Sequence, residues 1–125
     1  MILREPKSYL AASSTTRRAV CNGAGPRRFG WLVPDTVYGL RITEAADIHD
    51  WMYNEGVTHE DKYDADLTFL RNMVAIIMIA DDHGLRHKIL TRLRIMRAVK
   101  YFLAVWWGGD GAFQNGKDGV CPWPR

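Results

Sequence analysis

Three residues of this chain have the types and spacing of a water-activating site: His49, Asp50 directly after it, and Asp66 further along. Ala45, Ile48, His49, Met52 and Tyr53 recur at intervals of three and four, so His49 falls inside the apolar stripe of a helix. Tyr63, Asp66, Leu70, Met73 and Ile77 form a second such stripe, with Asp66 as its acidic member. A carboxylate in that position is costly unless it is paired or hydrogen-bonded. Facing His49, it would fix the imidazole tautomer and support the imidazolium, which leaves the other ring nitrogen to act as a general base toward water. Such pairing is expected to raise the His49 pKa. Asp50 lies about 100° around the helix from His49. That aims it out of the stripe, toward a glycine-rich segment whose backbone carbonyls could join it in a hard-oxygen site for calcium.

Two antiparallel helices must hold these groups, followed by a third. The first is expected from Glu44 to about Asn54, with Thr43 as N-cap, Glu44 and Asp47 near its positive end, and Gly56 just beyond it. Thr58 is placed to cap the second, which starts at His59, Glu60 and Asp61 and runs to about Asp82 before Gly84. The short 57 to 58 connection favours antiparallel neighbours and brings His49 toward Asp66. A third helix is expected from about Arg86 to Trp106, carrying Leu90, Leu93, Ile95, Met96, Val99, Phe102 and Leu103. Ahead of these, Cys21 to Arg41 holds Gly23, Gly25, Gly30, Gly39, Pro26 and Pro34 and reads as an ordered irregular loop. Residues 1 to about 20 show no apolar periodicity and read as a loosely held arm, leaving one domain over 21–125.

With 125 residues, 47% hydrophobic and 25% charged, the chain is a single globular domain with a composition that excludes disordered and collagen-like classes. The longest apolar run, Met73 to Ala80, is far short of the ~18 residues of a membrane span, and MILREPKSYLAASSTTRR has no apolar signal core. A net charge of +3 is a mild bias toward anionic partners. Two cysteines, Cys21 and Cys121, are too few for a disulfide framework, which points to a reduced setting.

The stretch His49-Asp50-Trp51-Met52-Tyr53 resembles the HD-x-x-Y helix of the phospholipase A2 superfamily. AADIHDWMY from Ala45 to Tyr53 is similar to that helix in the disulfide-free parvoviral capsid phospholipases, and PDTVYG from Pro34 to Gly39 resembles the microbial secreted branch. Ala65-Asp66-x-x-Phe69 is similar to the second-helix segment that supplies the orienting Asp, and CNGAGP from Cys21 to Pro26 to the glycine-rich calcium loop. The resemblance covers Cys21 to Met73. It implies a mainly α, phospholipase A2-like fold and calcium-dependent hydrolysis of a glycerophospholipid ester at sn-2. His49, Asp66 and Tyr53 would be the catalytic set, with Tyr53 bracing Asp66, and Asp50 with Asn22, Gly23 and Gly25 would hold Ca2+. Ala46 and Met52 stand where secreted animal enzymes carry cysteines, and Arg28 where the microbial branch has an acidic calcium ligand. The substrate would be a phospholipid membrane surface. An enzyme without an export signal would then be cytoplasmic or virion-associated and reach that surface on lysis or through a secretion machine.

Blander readings accompany each feature. His49 alone is more often a satisfied core histidine, Asp66 could pair with an Arg, and the whole could be a non-catalytic, phage-associated or membrane-binding protein on the same scaffold. A phosphohydrolase HD site would need a histidine before His49, and there is none. His83 and His87 are interrupted by Gly84 and make a poor zinc pair. Arg86, Arg94, Arg97 and Lys100 share a basic face that is usually just solvated but would suit anionic headgroups, with Trp106, Trp107, Phe113 and Trp123 as interfacial anchors. No nucleic-acid motif accompanies that face, so no nucleic-acid partner is expected.

Overall fold

The computed structural model describes residues 3–16, 36–81 and 85–108. These form α1 (Lys7–Ala11), a hairpin of β1 (Thr36–Val37) and β2 (Leu40–Arg41), and then α2 (Thr43–Glu55), α3 (His59–Ala80) and α4 (Leu85–Gly108). The fold is mainly helical with one small antiparallel two-stranded hairpin among the described residues, pairing Thr36 with Arg41 and Val37 with Leu40. The expected calcium loop, Cys21 to Pro26 with Asn22, Gly23 and Gly25, lies outside the described residues, as do the rest of the expected irregular loop up to Asp35 and Cys121, Phe113 and Trp123.

The start of α3 is specified as its sequence suggests. Thr58 accepts from the Asp61 backbone N–H at 3.1 Å, and the Asp61 carboxylate accepts from the Thr58 and Val57 N–H groups at 3.0 and 2.8 Å, a reciprocal capping box. At α2 the cap sits one residue earlier than expected. Ile42 is the N-cap, without a side-chain bond, and Thr43 is already helical. Ile42 is fully buried, so its position is set by packing rather than by hydroxyl capping.

The three long helices alternate in direction. Late α2 meets early α3, since the Lys62 ammonium lies 5.8 Å from the Tyr53 ring centroid, while the His49 ring lies against Phe69 two turns further along α3. Early α3 meets late α4, where the Tyr63 and Trp106 rings stack at 4.6 Å. Ala45, Tyr53, Ala65, Phe69, Met73, Ile77, Ala98, Tyr101 and Val105 share the buried core, and the small Ala65 and Ala98 allow close helix approach.

The hairpin turns through Tyr38 and Gly39, both at positive φ (46° and 81°), as a two-residue turn of this type requires. It is strapped to α4: Tyr101 donates to the Thr36 carbonyl at 2.9 Å, and Arg94 to the Tyr38 carbonyl at 3.2 Å. The Arg97 guanidinium donates to the Tyr38 hydroxyl at 3.0 Å and lies over its ring. Two members of the expected basic face, Arg94 and Arg97, are therefore engaged in holding the turn.

Much of the stretch read as a loose arm is docked. Tyr9 is buried edge-on against Trp51, in a second small cluster with Ile48. Asn72 exchanges two hydrogen bonds with the backbone of Arg4, and Trp51 donates to Ser8 at 3.0 Å. Single anchors of this kind have no periodicity for a sequence pattern to register.

Candidate hydrolytic site between α2 and α3

His49 is on the side of α2 that meets α3, and it is 1% exposed. Its ring is held between Tyr53 and Phe69, with centroid distances of 4.2 and 4.7 Å. Nε2 is 2.7 Å from Asp66 Oδ1, so the short connection does bring these two residues together. The Tyr53 hydroxyl donates to the same oxygen at 2.6 Å. The resemblance-derived trio of His49, Asp66 and Tyr53 is thus contiguous, and Phe69 of the Ala65-Asp66-x-x-Phe69 segment closes one face of the imidazole.

A fourth member was not foreseen. Lys62 is completely buried and donates to Asp66 Oδ2 at 2.7 Å, to the Val105 carbonyl at 3.0 Å and to the Trp106 carbonyl at 3.2 Å. Those carbonyls belong to the last turn of α4, where intrahelical donors run out and the helix dipole favours a cation. Asp66 is paired with this lysine rather than with an Arg. The signal was present in the sequence: Lys62 stands four residues before Asp66 and so shares its helical face. The stripe of α3 that is buried runs through Lys62, Ala65, Asp66, Phe69, Met73 and Ile77, whereas Tyr63 is more than a third exposed and Leu70 only half-buried.

Burial determines the electrostatics of His49. Desolvation pushes its pKa below the ordinary 6.5, and this outweighs the hydrogen bond and negative charge of Asp66, which pull upward; the Lys62 cation adds to the lowering. The expectation that pairing would raise this pKa is corrected accordingly. Asp66 does act in the expected direction, but the imidazole has lost its water.

Asp50 is 8% exposed, and its neighbours Ile48, His49 and Trp51 are buried as well, so α2 is covered on more than one side. No cluster of three or more His, Cys, Asp or Glu fit to hold a metal occurs among the described residues. A calcium site built from one carboxylate and loop carbonyls would not take that form, and Asn22, Gly23 and Gly25 lie outside the described residues. The same is true of His83 and of the His87 side chain, the weak zinc pair. A groove of about 520 Å³ runs over Arg4, Leu67, Thr68, Arg71 and Val74, and its lining includes neither His49 nor Asp50. No helix of the described residues is long and apolar enough to cross a membrane. Comparison with known family models, with curated proteins and with solved structures returns no match.

Proposed function

We propose that this protein is a calcium-dependent, phospholipase A2-like hydrolase that cleaves a glycerophospholipid ester, at sn-2 as the resemblance implies, at a phospholipid membrane surface. The observation that carries the reading is the shared carboxylate oxygen: Asp66 Oδ1 accepts from both His49 Nε2, at 2.7 Å, and the Tyr53 hydroxyl, at 2.6 Å. Because Nε2 carries the proton given to Asp66, Nδ1 is the nitrogen left to take a proton from water. The water oxygen would attack the ester carbonyl, Nδ1 would hold the proton, and Asp66 would balance the imidazolium until that proton passes to the departing alcohol. The hydrogen bonds from Tyr53 and Lys62 hold the carboxylate in its orientation. Asp50, nearly dehydrated and one position from His49, is the carboxylate suited to hold the metal with Asn22, Gly23 and Gly25. Calcium, when bound, would polarise the ester carbonyl and stabilise the oxyanion.

A second reading, a non-catalytic phage-associated or membrane-binding protein, takes its support from the burial of His49, which a core histidine would share. Release of fatty acid from a fluorescent glycerophospholipid, followed against calcium concentration and in chelator, separates the two. The enzyme reading expects calcium-dependent release and a half-saturating calcium concentration raised at least tenfold in Asp50→Asn, which keeps size and removes charge. No release at any calcium concentration favours the non-catalytic scaffold, and an unaltered calcium dependence in the variant moves the metal away from Asp50.

A further inference from the structure

Of the apolar residues that mark α4 in the sequence, Ile95 and Phe102 pack against the core, but Leu93, Met96 and Val99 are exposed. Thr91, Ala98, Tyr101 and Val105 face inward, whereas Ile89, Leu93, Met96 and Trp107 are 58%, 40%, 63% and 74% exposed. At 100° per residue these four lie along one line of the helix, with Val99, also exposed, beside them. The helix extends over 24 residues, about 36 Å. It contains Arg86, Lys88, Arg92, Arg94, Arg97 and Lys100 but no acidic residue. Arg94 and Arg97 are committed to Tyr38, while Lys88 and Arg92 are exposed along one edge of the apolar line and Lys100 is exposed within it.

We propose that the outer face of α4 docks on an anionic phospholipid bilayer, with the helix lying in the headgroup plane and Trp107 at the boundary with the acyl chains. Charge selects this occupant. A second copy of α4 packed along the same line would set its cations against identical cations, with Lys100 in the seam. A nucleic acid would meet the cations but leave the apolar row in water. An anionic bilayer covers the apolar row while lysine and arginine stems reach to the phosphates, which is the arrangement of an interfacial amphipathic helix. The surface belongs to α4 rather than to the α2–α3 pair around His49, and it stands without the hydrolysis reading.

The test is flotation of the full chain with phosphatidylglycerol or phosphatidylcholine vesicles, in chelator so that hydrolysis does not enter the readout. The expected result is binding at least about tenfold tighter to phosphatidylglycerol, weakened by salt. Brominated acyl chains should quench tryptophan fluorescence, and less so in Trp107→Phe. Met96→Asp and Lys100→Glu, both at exposed positions with folding checked by circular dichroism, should each weaken binding about tenfold or more. Arg71→Glu, the same charge reversal on the exposed side of α3, should leave it within about twofold. Absence of flotation with phosphatidylglycerol, equal losses in Arg71→Glu and Lys100→Glu, or a dimer that Met96→Asp dissociates would each overturn the proposal.

Discussion

Asp66 accepts from three side chains at once, and each donor serves a different purpose. His49 is oriented, Tyr53 fixes the oxygen that orients it, and Lys62 neutralises the other oxygen while tying down the end of α4. In Asp66→Asn the upward pull on the imidazole is lost while its burial remains, so the His49 pKa should fall further below 6.5 and turnover should drop. NMR titration of the ring protons reads the pKa; an unchanged value would mean that the pair is not coupled in solution. Lys62→Met leaves a buried carboxylate short of its counter-ion and two helix-end carbonyls short of a donor. A loss of about 3–5 kcal/mol in urea unfolding is expected, together with a His49 pKa higher than in the wild type because the cation's repulsion is gone. A near-neutral effect on both would remove Lys62 from the account.

At the scale of elements, what the sequence makes legible is what rests on local rules. The α3 start is one case, since Thr58 and Asp61 are fixed by capping chemistry alone; Thr58→Ala should cost about 1 kcal/mol in thermal or urea unfolding without altering the His49 environment. The facing of His49 and Asp66 is another, because helical period and a short connection together determine it. The rest depends on tertiary context. A lysine on a helix is by default a solvated residue, and only the meeting of α3 with the end of α4 turns Lys62 into a buried cap. The hairpin at Tyr38–Gly39 lacks the usual Asn-Gly or Asp-Gly signature, and arginines from a helix far along the chain hold its tyrosine. The apolar residues of α4 reveal its helical period but not which side meets the core, since Ile95 and Phe102 pack against it while Leu93, Met96 and Val99 are exposed.

For the molecule as a whole, the buried imidazole links stability to pH. The unfolded chain protonates His49 near 6.5 and the folded chain only below that, so between the two values the unfolded state binds more protons. The contribution of neutral His49 is therefore complete above about 6.5 and is lost as the pH falls toward the folded value. The unfolding midpoint should decline on acidification through this window, and less steeply in His49→Asn; equal slopes would show that His49 does not carry the proton linkage. The central claim is that this same imidazole is the base of a phospholipid hydrolase, and the measurement that addresses it most directly is calcium-supported fatty-acid release by wild-type protein and by folded His49→Ala. The account predicts release by the wild type and a loss of roughly 10²- to 10⁴-fold in the variant, the contribution of a positioned general base. Comparable turnover by the two proteins would contradict it.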